Sequence, residues 1–196
     1  MNRPLAYAIA FFSGCVFLGL ELVSSRVLAP FFGNSIHVWG ALISVFLFAL
    51  TVGYFLGGRL ADRRPRFGVL GMVMGLAAVG IAAVPSLSAP VSVAVLAAGL
   101  DFRLAVLLAC TLLFIAPSVL MGMVSPYVIK LSAERLEQVG RSAGDIYAIS
   151  TLGSISGALG VAFFLVPAIG STAILYLLAG TLAATATLCL APRLRR

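Results

Sequence analysis

Glu21 is an ionisable side chain inside a long apolar run that extends from Leu5 to Leu28. A charge held at that depth in hydrocarbon costs about 2.5–3.5 kcal/mol or more, so such a group faces a cavity or a partner. Ser24 and Ser25 follow one turn later, and Glu21 therefore heads a polar stripe. Arg26 stands about 140° further round the helix. It is poorly placed as an intrahelical partner and either snorkels outward or pairs with another helix. The chemistry open to this group is that of a cation or proton site. The structural alternative is an ion pair or a protonated, hydrogen-bonded glutamic acid. Tyr54, Tyr127 and Tyr147 place hydroxyls in or near apolar runs, where a local hydrogen bond is the simpler role. In Ser125-Pro126 the proline frees a backbone carbonyl, which serves a ligand or marks a bend. Glu21, Ser25, Arg26, Tyr54 and Ser125 form the candidate substrate-binding or proton-coupling set. His37, the single histidine, sits beside Trp39 and reads as an interfacial side chain. The chain shows no catalytic triad, metal-ligand cluster or phosphate loop, so neither a metal nor another cofactor is expected.

The elements that must hold these residues follow from composition. Of the 196 residues, 62% are hydrophobic and 10% charged, and the mean hydropathy is +1.15. Soluble chains are about 45–50% apolar and about 25% charged. The fold class expected is an all-α integral membrane protein. At about 20 apolar residues per crossing, the length allows six transmembrane spans in one domain, at about 5–28, 38–58, 67–84, 104–129, 145–166 and 171–190. Pro85 to Pro90 closes the third span. Val91 to Leu100 is too short to cross and lies along the outer interface or extends the fourth span. Pro117 and Pro126 are expected to kink span 4. Cys15, Cys110 and Cys189 are odd in number, lie in apolar runs and read as reduced packing residues.

Charge orients the spans. Arg59, Arg63, Arg64 and Arg66 crowd a short basic loop with Asp62, between spans 2 and 3. Basic residues in short loops stay on the cytoplasmic side. With both termini inside, eleven of the thirteen Lys and Arg residues fall on that side, and Arg26 and Arg103 remain near the other. The net charge of +7 is therefore a topology signal, and no nucleic-acid partner is expected; the lipid bilayer is the partner. Asp145 opens span 5, where it caps the helix or contacts the basic loop. Glycines four apart, Gly53 and Gly57, Gly71 and Gly75, Gly153 and Gly157, permit close helix approach within the chain or across a dimer seam.

Gly58-Arg59-Leu60-Ala61-Asp62-Arg63-Arg64-Pro65-Arg66 resembles the signature loop between helices 2 and 3 of major facilitator superfamily transporters. Gly58, Asp62, Arg63 and Arg66 stand at matching positions, and Pro65 replaces the usual second glycine. In that family the loop clamps the cytoplasmic ends of neighbouring helices. The stretches from Glu21 to Gly40 and from Gly144 to Ser154, continuing to Pro167 and Gly170, resemble the membrane region of spermidine synthase-like proteins. Those chains are often fused facilitator and aminopropyltransferase proteins. The nucleotide-binding loop of the transferase is absent from this sequence, so no enzyme activity is expected of it.

The resemblance implies a six-helix, N-in/C-in, half major-facilitator-like three-plus-three bundle in a bacterial inner membrane. It implies transport of a small cationic solute such as a polyamine, by a homodimer or with another membrane chain. Glu21 would neutralise the solute, and Gly58, Asp62, Arg63, Arg66 and Asp145 would form a cytoplasmic gating loop. The alternative is a non-catalytic module that docks a separate, soluble synthase-like enzyme at the bilayer.

Overall fold

The computed structural model describes residues 3–132 and 139–190. Glu134, Arg135 and Glu137 of the polar fourth connection, and Arg193, Arg195 and Arg196 of the basic tail, lie outside the described residues. Everything regular among the described residues is helical. The helices are α1 (Arg3–Phe32), α2 (Ile36–Arg63), α3 (Phe67–Ala97), α4 (Phe102–Gly122), α5 (Val124–Ser132), α6 (Val139–Leu159), α7 (Val166–Ala168) and α8 (Ser171–Leu190). A π-helical turn, Gly160–Leu165, joins α6 to α7. Helices α4 and α5 run on as one span, as do α6, the π turn and α7. Six helices are thus long and apolar enough to cross a membrane, the composition of a multi-pass helical bundle. In lipid a spanning chain must satisfy its backbone internally, which helices do.

Several boundaries differ from the sequence expectation, each for a local reason. Helix α1 passes through Pro30 and stops at Gly33, whose φ of +70° suits glycine and closes the helix. Helix α2 continues through Gly57 and Gly58 to Arg63, so most of the expected basic loop is helix. The true turn is only Arg64 to Arg66, and Pro65 enforces it by excluding Arg64 from the helical region. Helix α3 runs unbroken past Pro85 and Pro90 to Ala97. Residues 91–97 therefore extend span 3, not span 4 and not the interface. The hydroxyls of Ser86 and Ser88 donate to the carbonyls of Ala83 and Pro85 in this stretch. Span 4 breaks at Met123, three residues before Pro126, while Pro117 is absorbed without a break. Span 5 begins six residues before Asp145, so Asp145 does not cap it. Span 6 is helical over Ser171–Leu190.

Spans 2 and 4 and spans 1 and 5 pack most extensively, followed by spans 3 and 6; spans 3 and 4 and spans 1 and 6 also adjoin. Exchanging spans 1, 2 and 3 with 4, 5 and 6 leaves this set of pairs unchanged. The core between them is apolar, with Leu20, Phe46, Met74, Phe114, Ile146 and Ile174 fully buried.

Candidate functional site

Two backbone crossings frame the site. In span 5, Gly153 and Gly157 lie against the backbone of span 1; a Cβ on either would fall on the carbonyl oxygen of Phe11 or Cys15. In span 2, Gly53 and Gly57 lie against span 4, where added Cβ atoms would stand 2.8 Å from the Gly122 Cα and 2.6 Å from the Met123 Cα. Only glycine permits approach this close. The Ser154 hydroxyl adds a hydrogen bond of 3.2 Å to the Gly14 carbonyl at the first crossing. Gly71 is similarly close to Leu190 of span 6, whereas Gly75 faces open space.

Between the crossings, spans 1, 2, 4 and 5 enclose a cavity of about 140 Å³. Span 5 contributes most of its polar wall, through Tyr147, Ser150, Thr151 and Ser154. Ser13 of span 1, Tyr54 of span 2 and Ser125 of span 4 complete it. The wall is rich in hydroxyls and carries no formal charge. Tyr54, Tyr147 and Thr151 are exposed, so the cavity opens on the side flanked by spans 2 and 5. Phe17, which also lines it, stacks edge-on against Phe46 at 5.5 Å, and Phe46 meets Phe114 at 5.9 Å. The Phe46 and Phe114 rings are fully buried.

Tyr54 and Ser125 of the expected set therefore share one cavity, while Glu21, Ser25 and Arg26 do not line it. Glu21 is half-buried. It stands two turns beyond Gly14, on the same face of α1, about 10 Å further along the axis. Ser24 and Ser25 are buried, and their hydroxyls donate to the carbonyls of Leu20 and Leu22. Arg26 is exposed. The residues that the sequence reading missed are Ser13 and the span 5 hydroxyls of Ser150, Thr151 and Ser154, which join Tyr147. The span 5 spacing, 147, 150 and 151, 154, already marks one helical face.

The residues of the expected gating loop separate into two places. Asp62 ends α2 and pairs with Lys130 of α5, with Nζ 2.7 Å from Oδ1. An acid in the last turn opposes the helix dipole, and the lysine offsets it. Tyr127, fully buried, ties down the turn between α2 and α3. Its hydroxyl donates to the carbonyl of Arg64, lies 3.3 Å from that of Arg66, and accepts from the Arg66 N–H. Arg63, Arg64 and Arg66 are exposed. Arg59 lies over the Phe55 ring, 3.7 Å from its centroid. A Cβ at Gly58 would meet nothing. Asp145 is not part of this cluster: it accepts a 3.2 Å hydrogen bond from the Tyr7 hydroxyl of α1 and shares a small cavity with Arg141 and Ser132.

Among the described residues no group of three or more His, Cys, Asp or Glu side chains is placed to hold a metal ion. No protein family, curated protein or solved structure matches the chain.

Proposed function

We propose that the chain is a half-size, facilitator-like membrane transporter for a small cationic solute such as a polyamine, working as a homo-oligomer. The observation that carries this reading is the hydroxyl-lined cavity shared by spans 1, 2, 4 and 5 and open between spans 2 and 5. A polar, open wall in a bundle otherwise apolar is costly against lipid. A second copy facing it would supply the missing wall and enclose the solute. The invariance of the packing pairs under exchange of the two three-helix halves supports a three-plus-three origin for the bundle.

In this reading the tyrosine rings and hydroxyls of the cavity hold the cation loosely, by π-face attraction and hydrogen bonds. Glu21 is the counter-charge two turns further along. Phe17, which lines the cavity, stands one turn before Glu21 on α1, so passage between the two sites requires Phe17 to move. The Asp62–Lys130 pair and Tyr127 fix spans 2, 3 and 4 at the end that carries the basic turn, which is the clamping role of the resembled motif. The polyamine assignment rests on the family resemblance and on the acidity of Glu21. Both termini are assigned to the cytoplasm of a bacterial inner membrane on the positive-inside distribution.

The test is uptake of radiolabelled spermidine, with proton flux followed in parallel, in proteoliposomes of the purified chain. Uptake that Glu21→Gln abolishes while the protein remains folded supports the reading. Absence of flux from a correctly folded, reconstituted protein rejects transport of this class and favours the docking alternative.

A further inference from the structure

We propose that the turn between α2 and α3 and the outer face of α3 form a binding site for an anionic phospholipid. Arg63, Arg64 and Arg66 crown a groove whose floor is Val69 and Met72, with a volume of about 780 Å³. All three arginines are exposed, and among the described residues none has a carboxylate within ion-pair distance. The backbone of Arg64 and Arg66 is nonetheless held from below by the Tyr127 hydroxyl, and Arg63 is the last residue of α2. The guanidinium groups are thus borne on a fixed turn, which lowers the ordering cost of binding. Arginine forks match phosphate oxygens two at a time.

The apolar half of the site has its own geometry. Met72, Leu76 and Val79 are 57%, 60% and 68% exposed, and with Val69 they occupy one stripe of α3. From Val69 to Val79 the stripe descends about 15 Å, half of a hydrocarbon core of about 30 Å. Its depth is that of one leaflet. A phosphate-bearing headgroup at the arginines would therefore lay an acyl chain along this track. A diffuse basic surface explains attraction to an anionic leaflet, but it does not explain a groove that joins three arginines to Val69 and Met72, at the head of the apolar stripe. The inference does not depend on transport.

The experiment is native mass spectrometry of the full chain, purified in mild detergent and supplied with equimolar phosphatidylglycerol and phosphatidylcholine. The chain is expected to retain phosphatidylglycerol selectively, and the triple variant Arg63→Gln, Arg64→Gln, Arg66→Gln is expected to bind it about a hundredfold more weakly, taking about 1 kcal/mol for each of the three basic residues. Arg59→Gln, which leaves the groove intact, is expected to bind normally. Met72→Asp, with all arginines present, is expected to weaken binding as well. Inorganic phosphate is expected not to displace the lipid. Equal retention by the triple variant overturns the proposal. Equal loss on Arg59→Gln, or on neutralising Arg193, Arg195 and Arg196, would show a diffuse field in place of a site. Displacement by inorganic phosphate would show a free-anion site. Loss of a copurifying protein instead of lipid would show a protein-docking surface.

Discussion

Gly157 and Gly75 are both small residues of apolar spans, yet their surroundings are opposite. A Cβ at Gly157 would coincide with the Cys15 carbonyl, while one at Gly75 meets open space. Gly157→Ala should therefore force spans 1 and 5 apart and cost about 1–3 kcal/mol or more. Gly75→Ala should be neutral or stabilise by up to about 1 kcal/mol, through helix propensity. Thermal unfolding of the two variants in detergent checks both signs. The sequence offered three glycine pairs of equal spacing and no means of ranking them, because spacing reports the face of one helix and not what that face meets. The same limit applied to the hydroxyls. Glu21 drew notice because a lone acid in an apolar run is conspicuous, whereas Ser150, Thr151 and Ser154 are unremarkable until span 1 and span 2 are placed beside them.

At the scale of elements, the spans themselves were legible, because an apolar run of about 20 residues has one solution in a bilayer. Their ends were not. Proline suggested span ends at residues 30, 85 and 90, where the helices continue. Pro65 sits inside the turn that ends α2, and span 4 breaks three residues before Pro126. Tyr127 ties that turn to span 4 through three backbone groups. Replacing a buried hydroxyl of this kind leaves its partners unsatisfied, at about 1–3 kcal/mol. Tyr127→Phe should loosen the turn and speed trypsin cleavage after Arg63 and Arg66 several-fold, in protein whose spans remain intact. Cleavage rates unchanged from the parent protein would show that the turn is held by Asp62 and Lys130 alone. Arg64 is protected in either case by Pro65, which follows it.

At the scale of the molecule, the arrangement of spans was not readable from the sequence, since no internal repeat is visible and pairing depends on contacts far apart in the chain. The exchange of halves that preserves the packing pairs comes from the fold alone. An open polar wall between spans 2 and 5 predicts association through that side. A cysteine introduced at Thr151, which is exposed on the cavity rim, should cross-link to its counterpart in membranes, while one at Val79, on the far face of span 3, should not. The reverse pattern would place the contact elsewhere. Native Cys110 and Cys189 are buried and leave the assay clear once Cys15 is replaced.

The most direct test of the central claim fills the cavity from its open side. Thr151→Trp adds bulk at a position exposed on the single chain and should leave the helical fold of each chain intact, as judged by unchanged far-ultraviolet circular dichroism. Spermidine uptake into proteoliposomes should then fall at least about tenfold relative to the parent protein, by steric exclusion from a cavity of about 140 Å³. Uptake that persists undiminished in the folded variant would contradict the account, because the solute would then cross by a path that does not use this cavity.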